Sequence, residues 1–170
     1  MHSNEKSILF CFGNGGHKAQ AFRLASLICN ELKDYNVISL SDLKLKPYWS
    51  NEHFVSGELR KKNSHFDIFL NLGPINILKS IKQISKSHKV KVVISTGPGI
   101  SIIASVFFKL AGARIIHIET WSRFKTKSLT GKLMYLVSDR FYVQNLEQKK
   151  YTVTLYTRVD YEYFYNCRYN

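Results

Sequence analysis

Three short stretches hold residues whose types and spacing could do chemistry. The first is F-G-N-G-G-H at 12–17, where an apolar run stops at three glycines and a histidine. Glycine admits positive φ and lets a ligand come close to the backbone. A helix starting there would present unpaired N–H groups and partial positive charge to a phosphate or diphosphate. Gly13, Asn14, Gly15 and Gly16 would form that cradle. The Gly-Lys-Ser/Thr ending of a Walker loop is absent, and Lys18 stands where a dinucleotide fingerprint needs its third glycine. A plain strand-to-helix turn is therefore the competing reading. His17 falls in the first helical turn, where a neutral imidazole would serve as general base or hydrogen-bond donor. A capping or solvent-facing histidine is the alternative.

The second stretch, T-G-P-G at 96–99, opens another helical segment. Thr96, Gly97 and Gly99 could turn further amides toward an anion. The third, E-T-W at 119–121, follows a run that is apolar apart from His117. Glu119 could accept hydrogen bonds from a sugar hydroxyl, brace the turns, or act as the carboxylate that orients His17. Arg123, Lys125, Lys127 and Lys132 then form a basic run for phosphates, lipid headgroups or solvent.

The elements that must position these residues are legible in the pattern. Residues 7–12 read as a buried strand, 17–32 as a helix with apolar positions at Ala21, Leu24, Ala25, Leu27 and Ile28, and 35–40 as a second strand. Strand, glycine turn, helix and strand make a βαβ unit, so the fold class is α/β with a parallel sheet. The spacing predicts strands at 90–95, 113–119, from 141 and at 152–156, and helical segments at 100–110, 128–137 and 146–150. Residues 41–64 are polar and unpatterned and read as a loop or partly ordered segment. In such a sheet ligands bind outside the carboxyl ends of the strands, so the three stretches would line one cleft.

Composition narrows the setting. The chain has 170 residues with 45% hydrophobic and 22% charged, which suits one folded domain. A net charge of +13 points to an anionic partner: nucleic acid, anionic lipid or a phosphorylated substrate. Cys11, Cys29 and Cys167 have neither metal-ligand nor disulfide-framework spacing, so a reducing cytoplasm and no metal or cofactor are expected. No stretch reaches the ~18 apolar residues of a membrane span. Residues 66–84 end in a basic amphipathic helix that places Ile77, Leu78, Ile81 and Ile84 on one face, with Lys79, Lys82 and Lys86 elsewhere. Such a helix suits a membrane surface, or a core-packed helix with a solvated lysine face. The aromatic tail at 158–170 would contact another protein or fold back on the domain at 1–157.

The order FGNGGH, VVISTGPGISIIASVFFKLAGARIIHIET and LTGKLMYLVSDRFYVQ resembles the PssD-type polysaccharide biosynthesis proteins, which group with the asparagine-linked-glycosylation-fourteen family. The resemblance runs from residue 8 to about 156 and is weakest at 41–65. It implies a Rossmann-like parallel sheet flanked by helices, the N-terminal half of a split GT-B glycosyltransferase. It implies an accessory subunit that recruits a donor-binding subunit and helps bind a lipid-diphosphate-linked sugar acceptor, with little transfer activity alone. Gly13, Gly15, Gly16, His17, Gly97 and Gly99 would line the acceptor side, with Glu119 beside the cleft, and His17 or Glu119 would help deprotonate the acceptor hydroxyl. The absence of an N-terminal anchor favours the bacterial type, building capsular or exopolysaccharide units and held peripherally on the inner face of the cell membrane. Ile77, Leu78, Ile81, Lys82, Phe107, Phe108 and Lys109 would then meet lipid. A basic nucleic-acid-binding or nucleotide-binding α/β module is the alternative, but no nucleic-acid motif is present and nucleic acid is not the expected partner.

Overall fold

The structure is a computed structural model, and it describes residues 5–57, 73–121 and 128–143. Its strands are β1 (Lys6–Cys11), β2 (Asn36–Ser41), β3 (Glu52–Val55), β4 (Lys89–Ser95), β5 (Arg114–Ile118) and β6 (Arg140–Tyr142). They form one parallel sheet in the order β3-β2-β1-β4-β5-β6. The helices are α1 (Gly16–Ile28), α2 (Gly73–Ser87), α3 (Gly99–Leu110) and α4 (Leu129–Val137). The chain winds outward from β1 to β3, returns through α2 to β4, and continues to β6. The reversal lies between β1 and β4, which makes their carboxyl ends the topological switch point of the sheet.

Alternation along β1 explains the layers. Leu9 and Cys11 face a core built with Ile77, Ile81 and Ile84 of α2, Ile100, Ala104 and Phe108 of α3, and Met134 of α4. Ile8 and Phe10, followed by Phe12, face the opposite core with Ala21 and Ala25 of α1. A strand covered on both faces has to be apolar along its covered length, as β1 is from Ile8 to Cys11.

Two expectations are refined here. Residues 41–64 are not all loop, because β3 pairs with β2 from Ile38↔Glu52 to Ser41↔Val55. An edge strand with only Phe54 buried has no hydrophobic period to read. The helix expected over 17–32 ends at Ile28 and passes into a 3-10 turn at Cys29–Glu31. The helical turn at 146–150, the strand at 152–156 and the tail at 158–170 lie outside the described residues.

The lipid-facing residues also need correction. Ile77 and Ile81 have no exposed surface and Phe108 has 2%, so all three belong to the core beneath α2 and α3. The amphipathic face of α2 is its sheet-packing face. Phe107 is half-buried, edge-on to Phe108 with ring centroids 5.3 Å apart. Lys109 is committed internally, donating to the Val137 carbonyl and pairing with Asp139 at 2.9 Å. Desolvation pushes the Asp139 carboxyl up, but the Ile115 N–H and Lys109 outweigh it and hold it below the usual carboxylate range. Of the seven, Leu78 and Lys82 keep exposed positions.

Candidate functional site

The carboxyl ends of β1 and β4 bring the first two chemical stretches into direct contact. A Cβ on Gly13 would stand 2.5 Å from Pro98 Cδ, and a Cβ on Gly97 would stand 2.8 Å from His17 Cε1. These glycines are where two turns press together. Gly97 also has φ 87°, in the left-handed region that side chains disfavour. Thr96 ties the turns further. Its N–H donates to the Cys11 carbonyl at 3.1 Å, and its hydroxyl donates to the His17 carbonyl at 3.1 Å.

His17 is fixed by this arrangement. Its Nδ1 lies 2.6 Å from the Thr96 carbonyl oxygen. A carbonyl can only accept, so Nδ1 carries the hydrogen. The neutral ring therefore holds its lone pair at Nε2, the atom a general base would use. The orienting group is a backbone carbonyl on the other glycine turn, which residue types cannot reveal.

The proposed cradle divides into two sets. Asn14, Gly15 and Gly16 are exposed and Gly99 is half-exposed, so a ligand can reach them. The first α-helical hydrogen bond of α1 runs from the Ala19 N–H to the Gly15 carbonyl at 3.2 Å, which leaves the Gly16, His17 and Lys18 amides at the helix opening. Gly13, Thr96 and Gly97 are instead buried. The Gly97 amide donates to Ser95 Oγ at 3.3 Å, so these three hold the turns together and do not face a ligand.

Glu119 is corrected from catalyst to brace. It is 1% exposed. Its Oε1 accepts from the Thr120 N–H and from Ser128 Oγ, each at 2.9 Å. Ser128 Oγ in turn accepts from the Gly131 N–H at 2.8 Å and caps α4. The Glu119 carbonyl accepts from Gln20 Nε2 of α1 at 2.9 Å. The residue joins β5, α4 and α1, and its side chain faces the start of α4 rather than solvent. Beside it, the Trp121 indole Nε1 lies 3.6 Å from where a Gly16 Cβ would be, under the Arg23 guanidinium at 5.5 Å.

Three contributors escape a reading by motif. Asp42, after β2, brings its Oδ2 to 3.8 Å from the Gly13 Cβ position. Ser95 Oγ supports the Gly97 turn and bonds His117 Nδ1 at 2.9 Å. His117 is 1% exposed and lies against the Phe141 ring at 5.1 Å. Only its place as the polar residue in the buried half of an apolar strand hints at a role. Burial, with the nearby His17 as a second cause, pushes its pKa down from 6.5 to about 3. The unfolded chain then binds a proton that the folded chain refuses. Stability contributed by neutral His117 is complete above about pH 6.5 and is lost as pH falls toward 3, by on the order of a few kcal/mol. Urea unfolding at pH 7 and pH 5 checks this: His117→Gln should lose less stability between the two than the natural chain.

The six-stranded parallel sheet flanked by helices defines a Rossmann-like α/β domain, and its switch point is the candidate ligand crevice. Solved structures share the architecture. A protein described as a UDP-N-acetylglucosamine 2-epimerase, from Listeria monocytogenes, aligns with a TM-score of 0.56 at 14% identity, over 87% of this chain and 41% of that one. Acinetobacter baumannii MurG aligns at 0.52 and 14%, over 81% of this chain and 40% of that one. The chain thus spans about two fifths of each, and at such identity the likeness is one of fold.

The chain belongs to the Alg14 family: the family described as oligosaccharide biosynthesis protein Alg14 like matches residues 8–160. Among curated relatives, the UDP-N-acetylglucosamine transferase subunit ALG14 of Candida glabrata is 28% identical over 86% of this chain and 74% of its own length. The subunit of the same name from Saccharomyces cerevisiae is 26% identical over 80% and 68%. These relatives are yeast proteins and not bacterial ones.

Proposed function

We propose that the chain is the accessory, acceptor-binding subunit of a two-chain, UDP-sugar-dependent glycosyltransferase that works at a membrane surface. The observation that carries it is the pairing of Alg14 family membership with an open helix terminus beside a base-competent histidine at the switch point. The amides of Gly16 to Lys18 hold the acceptor's diphosphate, with Asn14, Gly15 and Gly99 around it. His17 Nε2 accepts the proton of the acceptor hydroxyl as its oxygen attacks the anomeric carbon of the donor sugar, and UDP departs with the electron pair of the anomeric C–O bond. The donor is bound by the partner subunit, and N-acetylglucosamine is the sugar that the relatives' names carry. A capsular or exopolysaccharide product is supported by the sequence resemblance alone.

The membrane reading keeps Leu78 and Lys82 and adds further exposed residues. Helices α2, α3 and α4 share one face of the sheet and present Lys79, Lys82, Lys86 and Lys132 but no aspartate or glutamate. Ile75, Leu78, Leu110, Leu129, Leu133 and Leu136 are exposed on or beside them. Apolar side chains among lysines suit a peripheral seat on anionic lipid, on the cytoplasmic side where the UDP-sugar is found. Among the described residues no helix is long and apolar enough to cross a membrane.

Size-exclusion chromatography of the chain mixed with the donor-binding subunit, together with flotation of the mixture on anionic vesicles, tests the assembly. A stoichiometric heteromer that floats with the vesicles is expected. Separate elution of the two chains would overturn the proposal.

A further inference from the structure

Beside the switch-point cleft lies a groove of about 460 Å³ whose lining includes one residue of the helix opening, Lys18. Lys18 and Phe22 of α1 form one wall, and residues 43–48, after β2, form the other. A relay of rings runs outward from the core to two of its lining residues, Phe22 and Tyr48. Trp49 lies 4.9 Å from Phe10 and 5.7 Å from Phe22, and Phe22 meets Tyr48 edge-on at 6.0 Å. Tyr48 ends the relay with 77% of its surface exposed. The Lys18 ammonium sits 5.4 Å above the Phe22 ring, Lys46 is steadied by the Asn51 carbonyl at 3.3 Å, and Lys44 is exposed. Among the described residues no carboxylate lines the groove. The carboxylate preceding it, that of Asp42, brings Oδ2 toward Gly13.

We propose that this groove binds the sugar-phosphate head of a glycosyl diphosphate, the sugar lying on Tyr48 and the phosphate between Lys18 and Lys44. A ligand that only needed charge would not call for a ring held open to solvent. A ligand that only needed an apolar face would not call for ammonium groups around it. A phosphorylated sugar has both features, since its axial C–H groups give it an apolar face. Lys18 belongs equally to the first turn of α1, so the groove continues from the amides of Gly16 to Lys18. A diphosphate can therefore bridge helix terminus and groove, which places the acceptor's first sugar over the segment after β2. The inference rests on the reading of the cleft as an acceptor site.

Isothermal titration of the chain alone tests it with four probes: inorganic pyrophosphate, a short-chain prenyl diphosphate carrying N-acetylglucosamine, UDP-N-acetylglucosamine, and a single-stranded oligonucleotide. The prenyl diphosphate sugar should bind at least about 10-fold tighter than pyrophosphate, the order of one ring-stacking contact. Tyr48→Ala should erase that margin and leave pyrophosphate binding unchanged. Lys44→Ser should weaken both probes. Both positions are exposed, and unchanged melting temperatures would show that the variants fold. Three results would overturn the inference: no binding of the prenyl probe, equal affinities in variant and natural chains, or tighter binding of UDP-N-acetylglucosamine or the oligonucleotide. No partner subunit is present, so the failures are separable. Variants that bind normally while transfer still depends on this chain would sink the groove and spare the subunit reading. Binding as expected in a chain that no transferase needs would do the reverse.

Discussion

Replacing His17 by alanine should lower turnover of the assembled transferase by about 10²–10⁴-fold, the range of a lost general base. The reason is geometric. The Thr96 carbonyl holds the Nδ1 hydrogen at a heavy-atom separation of 2.6 Å, so Nε2 is the ring atom left to take a proton. The ring also fills the space above Gly97, where any Cβ would collide with it. His17 could therefore matter only as packing between the two turns. His17→Asn separates these roles, because its side-chain amide can still donate to the Thr96 carbonyl but offers no base at the Nε2 position. If the asparagine variant restores turnover, His17 is a structural clamp and the proposed mechanism is wrong. If that variant assembles with the partner, melts like the natural chain and stays slow, the proton is taken at Nε2. Turnover, partner binding and melting temperature measured on the same preparations decide the matter.

The second large effect is on stability. A Cβ at Gly131 would stand 1.6 Å from Glu119 Oε2 and 2.7 Å from its Cδ. Gly131→Ala must therefore expel the carboxylate or lift α4 from the sheet. Expulsion breaks the bonds from the Thr120 N–H and Ser128 Oγ, and a hydrogen bond to a charged group is worth ~1.5–3 kcal/mol. Lifting α4 uncovers Met134, which has no exposed surface. Either route costs about 3 kcal/mol or more, a fall of roughly 10 °C in melting temperature for a chain of this size. Thermal unfolding of Gly131→Ala, Glu119→Ala and the double variant checks the mechanism. The alanine at 119 clears the space, so the double variant should be more stable than the two single costs added together. Strict additivity would mean that the two residues do not compete for one site.

Glu119 and Gly131 also show how far the sequence can be read. Gly13 to His17, Thr96 to Gly99 and Glu119 fall at strand ends, and a parallel sheet sets them on one edge. Strand and helix periods carry that much, because β1, β4 and α3 are apolar in patterns that their burial dictates. What stays hidden is which partner each residue meets across the sheet. Gly97 reads as an anion cradle and proves to be the surface against which His17 rests. Glu119 reads equally as a base, a hydroxyl acceptor or a brace, and what it holds, the serine that caps α4 nine residues further on, is not among the turns it would brace. Gly131, inside α4, carries no signal at all, since its role depends on a carboxylate that follows β5. The isoleucines of α2 mislead for another reason: a helix packed on a sheet and a helix lying on a bilayer show the same amphipathic period. Only burial distinguishes them, and Ile77 and Ile81 are inside.

The most direct test of the subunit reading is sugar transfer by the donor-binding subunit with and without this chain. Donor subunit, UDP-N-acetylglucosamine and a lipid-diphosphate acceptor are combined in anionic vesicles, and product is followed as the chain is titrated in. Negligible product is expected from either chain alone, with turnover that rises with added chain and saturates at a fixed ratio of the two. Equal turnover by the donor subunit in the absence of this chain would contradict that reading.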